Sequence, residues 1–320
     1  MPKVSVIIPV YGVESYIERC ARSLFEQTLD DIEYLFIDDC TPDKSVDILN
    51  KVLQEYPNRK KQVTIHRMDC NSGQALVRKW GMLNATGDYV IHCDSDDWVD
   101  IDMYRVLYEK AIEHNADVAI CDFARTDGNK CNVECGCHSE VPAVFIENCL
   151  FQKDKWSLCN KLFKKDCFQN IVYPRGALGE DMMMCLQMLY NVKRIGYVKK
   201  TLYYYYYNPN SLTKKRTVEN CIKQYNTLFD NTDFVVRYIE SHFTNRGVDV
   251  QLASKYLRMN NLLSLVYVKH LPEYKKLWQK KFIHMPFRFY ISKKISLYFK
   301  VVYVLSAIGI YPPKRERIDY

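Results

Sequence analysis

The stretch VSVIIPVYG, residues 4–12, begins with an apolar run, Val4–Val10, which is followed by an aromatic residue and a glycine. Four further runs are similarly short, rich in β-branched residues and bounded by Asp, Asn, Gly or Pro: Ile32–Ile37, Val63–Ile65, Tyr89–Cys93 and Val118–Cys121. Runs of this length and composition are typical of strands that are buried on both faces of a parallel sheet.

Stretches with helical spacing separate these strands. The first two each place apolar residues on one helical face: Ile17, Ala21, Leu24 and Phe25, then Val46, Leu49, Val52 and Leu53. Alternation of strands and helices predicts an α/β fold with a mostly parallel, doubly wound sheet flanked by helices. In such sheets the ligand lies at the carboxyl ends of the strands, so that edge is where we expect the functional site.

Acidic residues crowd the predicted carboxyl ends of three strands. Glu14 follows the first strand, Asp38-Asp39 ends the second with Asp43 close behind, and 94–97 reads Asp-Ser-Asp-Asp after the fourth. Each cluster alone could be a solvated turn with Asp caps. Carboxylates that converge on one sheet edge, however, are costly unless a cation or hydrogen-bond donors compensate them. Asp94 and Asp96, at alternate positions, suit one hard divalent cation that also holds phosphate oxygens.

No glycine-rich phosphate loop follows the first strand, because neither GxGxxG nor GxxxxGK[ST] occurs there. This disfavours a dehydrogenase or a P-loop enzyme. A bound metal must then neutralise much of the phosphate charge, which favours a transferase whose leaving group is a metal-bound diphosphate. A nucleotidyltransferase shares the fold class but would be expected to carry a basic, glycine-rich loop at this point.

The composition is that of a globular protein, with 48% hydrophobic and 26% charged residues in 320. The 13 cysteines are odd in number and scattered through predicted strands and helices, and the apolar start lacks the basic flank of a signal peptide. Cysteines used as small buried residues indicate a reducing, cytoplasmic location. Cys131, Cys135, Cys137 and His138 lack the spacing of a zinc knuckle and predict a surface hairpin or loop of free thiols.

The chain resembles the family 2 glycosyltransferases of the GT-A fold, particularly bacterial enzymes that build capsular or lipopolysaccharide glycans. The resemblance covers about residues 1–213. The segments that carry it are the opening strand 4–11, the helix ending 23–28, the turn 37–43, the segment 71–73 with Arg78 and Gly81, and 87–89 leading into 94–98.

The resemblance implies roles for individual residues. Pro9, Tyr11 and Glu14 would line the base and ribose pocket. Asp39 would accept a hydrogen bond from a uracil ring, and Arg78 would approach the nucleotide from the side.

Further roles concern the diphosphate and the acceptor. Asp94 and Ser95 would contact the nucleotide, with Asp94 on the ribose or the metal. Asp96 would be the principal ligand of Mn²⁺ or Mg²⁺. The acidic pair Glu180 and Asp181 would lie on the acceptor side with Asp181 as the base, and a loop with Ser211 and Thr213 would close over the diphosphate.

The implied activity is the inverting transfer of a sugar from a nucleoside-diphosphate donor, expected to be a UDP-sugar, to a hydroxyl of a glycan or lipid-linked glycan. Gly12, Cys40 and Lys79 depart from the family pattern, which puts the donor details in doubt. A QxxRW segment is absent and we find no membrane spans, so a single-addition enzyme is expected. Glu180 and Asp181 also have the right composition merely to cap a helix over 182–190.

The C-terminal third has a different character. We expect residues 1–213 to form the nucleotide-sugar-binding and catalytic domain and residues 214–320 a helical extension. Between Lys269 and Arg317 there are 12 Lys and Arg against two Glu, a net of +10 in a chain whose total is +7, so the remaining residues carry −3.

Lys and aromatic residues are interleaved in this tail. Together with the uncharged run Val301–Tyr311, they predict an amphipathic segment. This segment would lie peripherally on the inner face of the cell membrane, or else pack on the domain. A nucleic-acid binder would more often carry its positive stripe on the folded core, so no nucleic-acid partner is expected. The alternative to an enzyme is a catalytically silent, membrane-associated scaffold for glycan assembly.

Overall fold

Nine strands form one mixed sheet in the part of the chain that the computed structural model describes, residues 1–174, 176, 178–208, 217–244, 248–264 and 283–308. The strands are β1 (Val4–Val10), β2 (Ile32–Asp38), β3 (Val63–Arg67), β4 (Tyr89–His92), β5 (Trp98–Val99), β6 (Val118–Thr126), β7 (Cys131–Glu134), β8 (Lys161–Lys164) and β9 (Ile195–Tyr206). They lie in the order β3-β2-β1-β4-β8-β6-β9-β5, and β7 pairs with β6.

The helices are α1 (Ile17–Phe25), α2 (Ser45–Glu55), α3 (Gln74–Asn84), α4 (Met103–Glu113), α5 (Pro142–Leu150), α6 (Glu180–Tyr190), α7 (Val218–His242), α8 (Val250–Ser264), α9 (Phe287–Ile291) and α10 (Leu297–Ala307). Short 3₁₀ segments occupy Pro57–Gln62 and Lys165–Phe168. Helix formation follows the apolar spacing: α1 buries Ile17, Cys20, Ala21 and Leu24, which lie on one helical face.

The parallel half of the sheet sets the site. In β3-β2-β1-β4 all three pairings are parallel, and Val10 at the end of β1 pairs with Asp38 at the end of β2. The segments that follow β1, β2 and β4 therefore leave the sheet at one edge, as the sequence predicts.

The other half of the sheet is mixed. β6 and β9 pair parallel, whereas β8 lies antiparallel between β4 and β6, and β5 and β7 also pair antiparallel. The α/β class with flanking helices and a helical C-terminal region is confirmed. The stretch with Cys131, Cys135 and Cys137 contains the predicted hairpin, β6–β7, and these three thiols are exposed.

The chain divides into two compact units, 1–145 with 155–208, and 146–154 with 209–320. Within the first unit, a large buried cluster covers one face of the sheet with residues such as Ile8, Phe36 and Tyr104. Within the second, α7 and α8 pack together and α10 contacts α8. Among the described residues, no helix is both long and apolar enough to cross a bilayer. The basic stretch Lys275–Lys281 of the predicted tail lies outside the described residues.

Candidate active site

Asp39, just beyond β2, is fixed by the segment that starts α3. Its two carboxylate oxygens accept hydrogen bonds from the backbone N–H groups of Ser72 and Gly73, at 2.6 and 2.8 Å. Gly73 has φ +83°, a left-handed conformation that favours glycine, and it directly precedes α3. The carboxylate thus lies at the N-terminus of this helix, where the helix dipole favours negative charge. Each of its oxygens can accept one more hydrogen bond.

The loop after β1 is tied to the loop after β2 by short polar contacts. The N–H of Gly12 donates to the Thr41 hydroxyl at 2.9 Å, and the N–H of Glu14 donates to the Asp43 carboxylate at 2.9 Å. Tyr11 projects from this loop with 42% of its surface exposed. The two connected loops thus carry polar groups and one exposed aromatic ring, which are groups that can bind a nucleoside.

The turn after β4 alternates between partly exposed and buried positions. Asp94 and Asp96 are partly exposed, whereas Ser95 and Asp97 are buried. Asp97 accepts a hydrogen bond from the Tyr203 hydroxyl at 2.5 Å and another from the backbone N–H of Tyr206 at 2.7 Å. The buried carboxylate therefore anchors β9 to the turn, and the turn presents the other two carboxylates outward.

Arg78 on α3 joins the two acidic groups of the site. Its Nη2 lies 2.8 Å from Asp94, and its Nη1 lies 2.7 Å from Glu180 and 2.5 Å from Asp181. The guanidinium side chain is only 3% exposed. The guanidinium is thus enclosed by protein carboxylates, and its approach to the nucleotide stays a prediction.

Glu180 and Asp181 lie in the first turn of α6, which begins two residues earlier than the helix over 182–190 that the capping alternative assumed. The residue preceding the helix is Gly179 at φ +81°, and no side chain caps the N-terminus. Both carboxylates point to Arg78 instead. Their role is therefore not simple capping, although negative charge in the first turn still favours the helix dipole.

The two carboxylates differ in access to solvent. The side chain of Glu180 is 4% exposed, and burial raises its pKa to about 8. The side chain of Asp181 is 37% exposed; desolvation raises its pKa and Arg78 opposes that rise. Asp181 is thus a partly exposed carboxylate with a raised pKa beside a buried, protonated Glu180, and a carboxylate with these properties can act as a general base.

Asp94 and Asp96 provide the donor set that a hard cation prefers. Asp94 Oδ1 accepts hydrogen bonds from Gln74 and Arg78, and Asp96 Oδ2 accepts one from Asn208 at 3.1 Å. The second oxygen of each carboxylate has no hydrogen-bond partner among the described residues. Burial, and then the charge of Asp94, raise the pKa of Asp96 above its usual range, a strain that a bound cation would relieve.

These residues fit Mn²⁺ or Mg²⁺ with water and phosphate oxygens completing the shell. No cluster of three or more His, Cys, Asp or Glu side chains suited to a metal occurs among the described residues. The protein would therefore supply only part of the coordination sphere.

Several residues of the site were not predicted from the sequence. Arg19 donates to the Asp96 carbonyl at 3.0 Å, and its guanidinium stacks 3.8 Å from the Trp98 ring centre. Gln74, Tyr203 and Asn208 contact the turn after β4, as described above. Asn208 and Tyr203 lie more than 100 residues from that turn in the sequence. No local sequence pattern predicts that polar residues so far apart come into contact. The predicted Ser211 and Thr213 lie outside the described residues.

A mixed α/β sheet with paired aspartates and a separate acidic pair joined by one arginine fits a nucleotide-dependent transferase. Residues 5–134 match the sequence profile of Glycosyl transferase family 2. These residues carry the domain of this family, and the chain is a glycosyltransferase that is similar to enzymes of the bacterial cell envelope.

Individual relatives agree with this assignment. The chain is 29% identical over 247 residues to the uncharacterized glycosyltransferase EpsJ of Bacillus subtilis strain 168, which covers 70% of this chain and 68% of EpsJ. Residues 1–349 of S. aureus TarS, crystallised with UDP-GlcNAc, superpose with a TM-score of 0.66 at 20% identity, covering 88% of this chain and 79% of that one. The mannosyltransferase PcManGT of Pyrobaculum calidifontis, in complex with GDP-Man and Mn²⁺, gives 0.54 at 14%, covering 97% and 88%. The two structures establish the GT-A fold.

Glu180→Gln should change how stability depends on pH. The pKa of Glu180 is 4.5 in its ordinary state and about 8 in the folded protein, so between these pH values the carboxyl is ionised in the unfolded chain and protonated in the folded one. The free energy of unfolding of the wild type therefore falls as pH rises through this window. Glutamine does not titrate, so the variant lacks this decrease. Between about pH 5 and about pH 8, we expect the wild-type Tm to drop relative to the variant by at least about 2 °C, or ~1 kcal/mol.

The measurement is differential scanning fluorimetry across that pH range. Glu219→Gln is the matched control, because Glu219 also lies in the first turn of a helix, α7, but is exposed. Curves of Tm against pH that run parallel for the wild type and Glu180→Gln would show that the folded-state pKa of Glu180 is ordinary.

Proposed function

We propose that this enzyme transfers a sugar, with inversion, from a UDP-sugar to a hydroxyl of a glycan or lipid-linked glycan, using Mn²⁺ or Mg²⁺. One observation carries the proposal: Arg78 connects Asp94, beside the predicted metal ligand Asp96, to the carboxylates of Glu180 and Asp181. In this arrangement one pair of carboxylates would hold the metal that binds the leaving diphosphate. The other pair would provide the base that deprotonates the attacking hydroxyl.

The nucleoside is proposed to bind at the loops after β1 and β2. Pro9, Tyr11 and Glu14 would contact the base and ribose, and Asp39 would accept a hydrogen bond from the uracil N–H. Support for uridine comes from the similar fold of TarS, which binds UDP-GlcNAc. The backbone contacts that hold Asp39 in place support a fixed acceptor at this position.

The diphosphate is proposed to lie over the turn after β4, with Asp94 and Ser95 near the nucleotide and Asp96 as the metal ligand. When bound there, a divalent cation stabilises the negative charge of the departing diphosphate. Asn208 donates a hydrogen bond to the Asp96 carboxylate and Arg19 donates one to the Asp96 backbone carbonyl. These two contacts orient the other oxygen of the carboxylate. Ser211 and Thr213 remain proposed contacts of the diphosphate.

The acceptor hydroxyl is proposed to be deprotonated by Asp181. Of the acidic pair, only this side chain is substantially accessible, and Arg78 holds one of its oxygens so that the other can face the acceptor. Attack from the side opposite the leaving group inverts the anomeric carbon. Glu180 positions Arg78 and remains protonated near neutral pH, which limits the negative charge around the base.

The arrangement of the chain fits this function. We propose residues 1–213 as the catalytic domain and 214–320 as the helical extension. The cytoplasm, at the inner face of the cell membrane, is the proposed place of action, since lipid-linked acceptors are held there.

Tyr11→Ala should weaken donor binding without harming the fold. Stacking of a base on an aromatic ring contributes about 1–3 kcal/mol, so we expect the Kd for UDP in the presence of Mn²⁺ to rise by roughly 5- to 100-fold. Isothermal titration calorimetry measures this change. Tyr290→Ala is the matched control, because both rings are 42% exposed and Tyr290 lies in the other unit. For the wild type, GDP that bound as tightly as UDP would contradict the uridine assignment.

Asp96→Ala should abolish both transfer and the effect of metal on UDP affinity, because the charge of the diphosphate is then left uncompensated. We expect less than about a tenth of the wild-type kcat, a barrier increase above ~1.4 kcal/mol. Donor hydrolysis with Mn²⁺, run as a screen of nucleotide sugars, provides the assay and also identifies the donor. Asp47→Ala changes the same charge at an exposed position of α2 and should retain full activity. An Asp96→Ala enzyme with unaltered metal dependence would refute the metal assignment.

Asp181→Asn should separate catalysis from structure. Asparagine keeps the size and can still accept a hydrogen bond from Arg78, but it cannot take up the acceptor proton. We expect an unchanged Kd for UDP and a transfer rate reduced at least about 100-fold. Glu180→Gln is the control at the neighbouring position and should lose much less. If Asp181→Asn transfers sugar at the wild-type rate, the base lies elsewhere.

A further inference from the structure

Helix α10 in the second unit is apolar on both of its sides. One side is packed into the unit through Phe299, Val302 and Tyr303. Phe299 and Tyr303 contact the ring of Phe289 on α9, and Phe299 also contacts Tyr256 on α8. This side alone accounts for the attachment of the helix to the protein.

The opposite side, which we call the outer face of α10, is exposed and equally apolar. It consists of Leu297, Tyr298, Val301, Val304 and, one residue past the helix, Ile308. At about 100° per residue, these five positions fall within an arc of roughly 120° and lie opposite the packed side. A helix in contact with water would carry polar residues here, and contiguous exposed apolar surface marks an interaction site.

The charge around this face is of one sign. Residues 283–308 contain Arg288, Lys293, Lys294 and Lys300 and no Asp or Glu. Two of these cations are paired, Arg288 with Asp249 and Lys294 with Glu147. The other two are not paired with any carboxylate among the described residues.

The unpaired cations lie beside the outer face. Lys300 follows Leu297 by three residues and precedes Val301, so it lies at the edge of the apolar arc, and its amine donates to the Ser292 carbonyl, which leaves its charge uncompensated. Lys293 is exposed in the segment that leads into α10. An apolar face flanked by uncompensated lysines has the composition of a helix that lies in a membrane interface.

We propose that the outer face of α10 docks on an anionic lipid surface, with its apolar side chains among the acyl chains and Lys293 and Lys300 on the headgroup phosphates. The helix has 11 residues, so it is about 16 Å long and cannot span the ~30 Å hydrocarbon core. Two copies of the chain that met through this face would bring like charges together, which disfavours a second copy as the occupant.

This docking goes beyond sugar transfer and does not depend on it. The full-length chain is mixed with vesicles of phosphatidylcholine alone or with phosphatidylglycerol added, and the vesicles are sedimented. Binding is expected to the anionic vesicles and to weaken at high salt, because ionic screening removes the lysine contribution but not the apolar one. A wild-type chain that stays in the supernatant with both kinds of vesicle overturns the proposal.

The test variant is Leu297→Glu with Val301→Glu, which places two carboxylates at positions that are 75% and 48% exposed. The partition coefficient on anionic vesicles should fall at least tenfold. The matched control is Leu83→Glu with Ile112→Glu, which makes the same charge change at exposed positions, 68% and 55%, on helices of the first unit. An equal loss in both variants would assign the binding to net charge and overturn the proposal.

Circular dichroism and Tm show whether each variant is folded. A milder double variant, Lys293→Gln with Lys300→Gln, should lose the preference for vesicles that contain phosphatidylglycerol. Sedimentation velocity reports the oligomeric state. If Leu297→Glu with Val301→Glu converts a dimer into a monomer and leaves vesicle binding intact, the outer face belongs to a second copy and the lipid proposal is wrong.

Discussion

The buried ion cluster around Arg78 is the interaction on which the arrangement of the site depends. Burial alone would lower the pKa of this guanidinium, but the carboxylates of Asp181, Glu180 and Asp94 outweigh burial and raise it well above its ordinary value. One cation thus holds together three carboxylates from the segment after β4 and from the start of α6. Burial raises the pKa of Glu180 to about 8, so near neutral pH Asp94 and Asp181 are the two negative charges beside the single guanidinium, and this excess of negative charge favours a divalent cation nearby.

Asp97 and the aromatic end of β9 stabilise the same edge from the other side. Asp97 is buried and bonds to Tyr203 and to the backbone of Tyr206, which fixes the turn that carries Asp94 and Asp96. Removing one partner of such a buried polar pair costs about 1–3 kcal/mol, more when the group left behind is charged. The catalytic edge is therefore built from groups that are expensive to leave unpaired, so its geometry is well defined before any ligand arrives.

Much of this could be read from the sequence, and the rest could not, for physical reasons. The runs in β1, β2 and β4 are apolar and bounded by turn residues, so their position and the acidic edge follow from local pattern alone. β8 was not predicted because the four residues Lys161–Lys164 are too few to show a period. Its Lys161 is buried with its amine donating to the carbonyl oxygens of Lys155 and Ser157 and to the side-chain oxygen of Asn160. The bridging role of Arg78 depends on a partner 102 residues away, a distance over which sequence spacing carries no information.

Helix α3 links two parts of the site that are distinct in chemistry. Its start is fixed to Asp39 through Ser72 and Gly73, and Arg78 lies about 7 Å further along the same rigid axis. The position of Asp39 and the position of the acidic pair are therefore coupled through this helix. A chimera that imported only the β2 turn of a relative would be expected to shift α3 and with it the guanidinium, so an exchange would have to include the whole segment from β2 to the end of α3.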